Sequence, residues 1–141
     1  MSQTQTIQTR EVINNFFQAL AGRELAVLIQ LFAEEIDWDI PGNEELAPWL
    51  GKRTKRNEVK DSFELLWQNI EPIAAQIDRI LVDDDFAIAT GSFSSKMNRS
   101  GQIYSSMFSA HFTVSGDQII RYRLQEDSYG LVEALMLPMP V

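Results

Sequence analysis

The chain has no cysteine and a single histidine in 141 residues. Without thiols it can hold no disulfide framework, no thiol nucleophile and no thiolate metal ligand. One imidazole, His111, excludes any site built on two, such as an H-E-x-x-H zinc helix. Basic residues are also scarce: 12 Lys and Arg stand against 20 Asp and Glu, for a formal net charge of −8. That balance argues against nucleic-acid binding through phosphate contacts and against docking on an anionic membrane surface. No hydrophobic run approaches the roughly 18 residues of a membrane span. The opening stretch from Met1 to Ile7 lacks the charged and apolar blocks of a secretory leader. A soluble, cytoplasmic protein is expected.

What is present is a globular composition, 45% hydrophobic and 10% aromatic, enough for one domain over residues 1–141. Val12, Ile13, Phe16, Phe17 and Leu20 make a helical stripe that stops at Ala21-Gly22. Leu25, Leu28, Ile29 and Phe32 restart it as a second short helix. The period then changes: Ile36, Trp38 and Ile40 alternate with Asp37 and Asp39 before Pro41-Gly42, which predicts a half-buried strand. A loop is expected from Asn43 to Arg56, with Pro48-Trp49 in its middle. Val59, Phe63, Leu66, Trp67 and Ile70 form a third helical stripe, with Asn57 as its N-cap and Pro72 closing it.

From Ile73 onward, turn signals at Asp83-Asp84-Asp85, Asn98 to Gly101 and Ser115-Gly116-Asp117 divide the chain into four strands, near 73–82, 86–97, 102–114 and 118–126. Short connections make them an antiparallel meander. Asp127-Ser128 can cap a last short helix through Leu135, which Pro138-Met139-Pro140 cannot continue. Helices first and a long sheet second predict an α+β fold in which three helices close one face of a strongly curved sheet, leaving a conical cavity.

Three stretches carry a family resemblance. The first is Phe17 to Gly22 with Leu25, continuing through Leu31-Phe32-Ala33-Glu34-Glu35-Ile36-Asp37-Trp38 to Ile40-Pro41-Gly42. The second is Pro48-Trp49-Leu50-Gly51 with Val59 and Phe63. The third is Phe112-Thr113-Val114 with Gly116 to Ile120, running to Glu126-Asp127. In this order they resemble the nuclear transport factor 2-like superfamily and, within it, the SnoaL-like polyketide cyclase and ketosteroid isomerase group. Lys55 departs from the pattern, standing where members usually open the third helix with Gly. The resemblance implies the cone-shaped α+β roll and, as family members commonly pair through the outer sheet face, a homodimer. It does not imply one reaction, since the superfamily spans several enzymes and non-catalytic modules.

The known chemistries can be tested residue by residue. Aligned on these stretches, the isomerase tyrosine falls on Phe16, its base on Ile40 and its protonated acid on Ala110, so all three groups are missing. The Arg and two Asp of limonene epoxide hydrolase-like members fall on Gly91, Phe93 and Leu124, and that chemistry is missing too.

Strand alternation supplies the remaining candidates. The expected ligand pocket is Phe16, Trp38, Ile40, Trp49, Phe93, Tyr104, Ser106, Phe108, Ala110, Tyr122 and Leu124. Catalytic candidates are Tyr104, Tyr122 and His111, although alternation puts His111 on the opposite face with Met107, Ser109 and Thr113. Glu126 has the pocket phase but, at a strand end, reads as solvated. Asp37 and Asp39 read as outward. The cations Lys52, Arg53, Lys55, Arg56 and Lys60 could steer an acidic ligand but read as a solvated helix start, and Asp83 to Asp85 as a turn rather than a metal site. No cofactor and no metal are expected. The leading reading is a protein that binds a small apolar or aromatic molecule, with isomerase- or cyclase-like proton transfer if it is an enzyme. The alternative is a non-catalytic association domain whose cone is filled by its own side chains. An open cavity of a few hundred Å³ separates the two.

Overall fold

The computed structural model describes residues 3–136, so the proline-rich stop at Pro138-Met139-Pro140 lies outside the described residues. The elements run α1 (Gln3–Ala21), α2 (Leu25–Gln30), β1 (Phe32–Ile40), β2 (Gly51–Lys55), α3 (Arg56–Asn69), β3 (Ile70–Asp83), β4 (Phe86–Met97), β5 (Ile103–Ser115), β6 (Gln118–Glu126) and α4 (Ser128–Leu135). One six-stranded sheet has the order β2-β1-β6-β5-β4-β3. The meander from β3 to β6 is antiparallel throughout, as the turn spacing predicts. Among the described residues, no helix is long and apolar enough to cross a membrane.

Four local expectations are corrected. Phe32 opens β1 instead of closing the second helix: its carbonyl accepts from Arg56 Nε at 2.9 Å, and Ile119 N donates to Leu31 O at 2.7 Å, so β6 captures the chain there. The expected loop contains β2, paired antiparallel with β1 from Ile40–Gly51 to Glu35–Lys55. The cap of α3 is Lys55, not Asn57. Glu58 reaches back to accept from the backbone N–H of Thr54 (2.9 Å) and Lys55 (3.0 Å), which holds its carboxyl below the usual range. Pro72 lies inside β3, which already begins at Ile70, next to a register shift between Pro72 and Ala74.

β1 also runs parallel to β6, which sets Trp38 opposite Tyr122. Together with Phe16 of α1 and Phe63 of α3, these rings fill the centre of the cone. Trp38 and Tyr122 stack at 4.4 Å between centroids, and Phe16, Phe32 and Phe112 crowd the Tyr122 ring at 5.2–6.4 Å. Such offset and edge contacts add to the burial of apolar area.

Gly91, in β4, is required by a close approach. A Cβ there would sit 2.0 Å from the Gln76 carbonyl and 2.8 Å from the Phe108 ring, which lies over the bare backbone. Gly91→Ala must therefore push β3 off β4 or eject Phe108. We expect a loss of about 2 kcal/mol or more, read as a lower urea midpoint; an unchanged midpoint would contradict this packing.

Candidate functional site

The concave face is written by alternation along β4, β5 and β6. Direct pairing places Ala75 opposite Phe93, Phe93 opposite Ser106, Ile77 opposite Gly91, and Gly91 opposite Phe108. Phe108 faces Glu126, Ala110 faces Leu124, and Phe112 faces Tyr122. The face has two ends. At the inner end Phe16, Trp38, Ile40, Ala110 and Tyr122 are all buried. At the outer end Phe93, Phe108 and Leu124 are only half-buried, and Ile77 is 39% exposed. The open apolar surface is thus at this outer end, where Phe93 packs against Tyr104 (5.5 Å) and Phe108 (6.2 Å).

The polar groups of this end divide by what they are bonded to. Tyr104 donates its hydroxyl to the Asp127 carbonyl at 2.8 Å. Ser106 accepts from Asp127 N at 2.9 Å and donates to the Met107 carbonyl at 2.6 Å. Both hydroxyls are committed to backbone, pinning β5 to the junction of β6 and α4. Asp127 in turn caps α4, accepting from Gly130 N at 2.9 Å, as the sequence predicts.

Tyr122 differs: among the described residues its hydroxyl has no hydrogen-bond partner, and the ring is 5% exposed. Trp38, stacked on it and 2% exposed, has a buried Nε1 that is likewise unpartnered. Burial pushes the Tyr122 phenol well above its ordinary range, and the Glu126 charge pushes it further. Tyr104 is raised by burial and by the same carboxylate.

Glu126 is the correction that matters for chemistry. It is half-buried on the concave face opposite Phe108, not solvated at a strand end. Burial, and then the neighbouring Asp127 charge, push its carboxyl up to about 7. α4 folds back toward the start of β5, with Ser100 donating to the Ala134 carbonyl. A carboxyl titrating near neutrality beside apolar rings can both give and take a proton.

The other expected residues fall elsewhere. Trp49 is a buried plug whose carbonyl accepts from Ser62 at 2.6 Å. His111 lies on the outer face, its Nε2 2.8 Å from Ser109 Oγ, apart from both tyrosines. Asp37 is exposed and paired with Arg123 (2.8 Å) and Arg121 (3.6 Å). Of the five-cation cluster, Arg53 donates to the Pro48 carbonyl, Lys55 pairs with Glu35 and Arg56 holds the Phe32 carbonyl. The work of these three is structural. Asp83 to Asp85 form the β3–β4 turn, and no metal-holding cluster occurs among the described residues. Alternation missed Ala75 and Ile77, because register shifts interrupt β3 on both sides of them.

The geometry has counterparts. A family model describing the SnoaL-like domain matches residues 13–122. A search of curated proteins finds no match. Among solved structures, an NTF2-like protein from Burkholderia xenovorans LB400 superposes with a TM-score of 0.83 at 17% identity, covering 93% of this chain and 98% of that one. TerC, co-crystallised with polyporic acid, gives 0.80 at 12% identity over 91% and 98%. A protein from Mesorhizobium loti described as a SnoaL-like polyketide cyclase gives 0.69 at 14% over 82% and 97%. At these identities the likeness is one of fold.

Proposed function

The chain belongs to the SnoaL-like domain family, and from that premise we propose that it binds a small, mostly apolar or aromatic molecule at the open end of the cone, where an isomerase- or cyclase-type proton transfer can run on Glu126. The observation that carries the reading is the position of that carboxyl, on the concave face among Phe108, Leu124 and Phe93. Glu126 replaces Tyr104, whose hydroxyl is held by backbone, and His111, which faces the other way, as the group to move a proton. Tyr122 stays a candidate. The fold neighbours named for a polyketide cyclase and for polyporic acid support the ligand class. Native mass spectrometry of the purified protein, repeated under denaturing conditions, tests it. We expect a bound mass that is lost on denaturation; a bare chain that also fails to take up a flat aromatic ketone would contradict it.

The second reading, an association domain without catalysis, is favoured by one observation: aromatic rings fill the inner end of the cone. It is compatible with a homodimer through the outer sheet face, which we propose for either reading. Met107 stands 82% exposed at the middle of β5, between two grooves of about 510 and 500 Å³. Ser92, Ser94, Ser105, Ser109 and Gln125 line these grooves, with Glu126 and Asp127 bordering the second of them. A second copy related by a two-fold axis would bury each Met107 against the other's groove. We expect a dimer by light scattering and a monomer after Met107→Lys, which buries a charge there. A wild-type monomer would remove the interface.

A further inference from the structure

The β5–β6 ladder stops at Glu126, and the residue after it is held by side chains. The last pairing sets Phe108 opposite Glu126, while β5 continues outward through Met107, Ser106 and Tyr104 with no β6 strand beside it. A strand end in this position frays unless its backbone groups find other partners. Here Asp127 N donates to Ser106 Oγ at 2.9 Å, and the Asp127 carbonyl accepts from the Tyr104 hydroxyl at 2.8 Å. Ser106 gives its own proton to the Met107 carbonyl at 2.6 Å, which leaves its lone pairs for Asp127. Both side chains are buried. The Asp127 carboxylate accepts from Gly130 N at 2.9 Å, so the N–H, carbonyl and side chain of one residue are all tied. Gly130 is a separate observation. It lies inside the eight-residue α4 without a positive φ, where only proline forms helix more poorly. A Cβ there would sit 2.4 Å from Asp127 Oδ2, so the glycine keeps open the space that this carboxylate fills.

We propose that Tyr104, Ser106 and Asp127 are positioning residues: they clamp the junction of β6 and α4 and so hold the Glu126 carboxyl on the concave face opposite Phe108, with Gly130 making room for the clamp. This rests on the reading of Glu126 as the proton-transfer group and adds what keeps it in place. The link is short. The Asp127 N–H belongs to the planar peptide that joins it to Glu126, so fixing that group fixes the backbone from which the Glu126 side chain leaves. A frayed strand end would let the carboxyl swing into water, where its charge is better solvated than beside Phe108, Leu124 and Phe93. The ionisable groups acting on Glu126 are Asp127 at the junction, Tyr104 on β5 and Tyr122 on β6, and no ion pair neutralises it among the described residues. The clamp therefore has two effects: it keeps the carboxyl from water and keeps the Asp127 charge beside it. Tyr104 and Ser106, which strand phase presents as ligand contacts, act on the chemistry through Glu126 instead.

Carboxyl-carbon chemical shifts followed against pH, in the full chain carrying isotope-labelled glutamate, test the clamp. In wild type Glu126 should titrate near 7. Tyr104→Phe and Ser106→Ala should each lower that midpoint by about one pH unit, a tenfold rise in acidity. Ser106→Thr, which keeps the hydroxyl, should stay near the wild-type value. Gly130→Ala should lower the midpoint too, by displacing the Asp127 carboxylate. Ser62→Ala separates this from a general loss of stability. It removes a comparable buried hydroxyl bond, to the Trp49 carbonyl, and should lower the melting temperature without moving the Glu126 midpoint. A raised wild-type midpoint that Tyr104→Phe, Ser106→Ala and Gly130→Ala all leave in place, or that Ser62→Ala lowers equally, would overturn the clamp while leaving Glu126 as the proton-transfer group. A wild-type midpoint near 4.5 would overturn the reading of Glu126 itself and this inference with it.

Discussion

Glu126→Gln is expected to stabilise the protein at pH 8 by up to about 3 kcal/mol while leaving stability at pH 4 nearly unchanged. The native carboxyl titrates near 7 and an unfolded one near 4.5. Between those values the native state holds a proton that the unfolded state has lost, so stability falls as pH rises. Below 4.5 both states are protonated, and a neutral Glu and a Gln are equivalent. Above 7 the folded protein carries a carboxylate in an apolar setting at full cost. The displacement from 4.5 to about 7 corresponds to about 3 kcal/mol, an upper figure for a half-buried group. Urea titrations of wild type and variant at intervals from pH 4 to 8.5 read it directly. The two curves should meet at low pH and separate to a plateau above 7; parallel curves would mean an ordinary solvated carboxylate. A stability cost carried at working pH is what a proton-transfer group imposes on its fold.

Trp38→Ala should cost about 3–5 kcal/mol, and Trp38→Phe far less. Alanine leaves a void among Phe32, Phe63 and Tyr122, whose rings lie 4.4–5.6 Å from the indole. Phenylalanine keeps most of that contact and loses no hydrogen bond, because the indole N–H makes none among the described residues. The unpaired donor it removes offsets part of the lost area. Thermal melts distinguish the cases; equal, large losses for both substitutions would show that the N–H has a partner after all.

The meander was legible because every boundary between its strands is a local turn signal, from Asp83-Asp84-Asp85 to Ser115-Gly116-Asp117. β2 was not, because Gly51-Lys52-Arg53-Thr54-Lys55 has no apolar alternation and is a strand only through its pairing with β1. The parallel docking of β1 on β6 joins segments some eighty residues apart, and no local pattern encodes it. Yet it is what brings Trp38 and Tyr122 together. Parity put Glu126 on the correct face, but its depth is set by tertiary packing, which parity does not report. The same blindness made Tyr104 and Ser106 look available, since their bonds go to the backbone of Asp127, beyond the end of their partner strand.

Chemical-shift mapping with a planar apolar ketone such as 2-acetylnaphthalene tests the account at its centre. The prediction is that perturbations concentrate on Ile77, Phe93, Phe108, Tyr122, Leu124 and Glu126, along the concave face. Perturbations confined to Ser92, Ser94, Ser105, Met107, Ser109 and Gln125 on the outer face, or none at all, would contradict it.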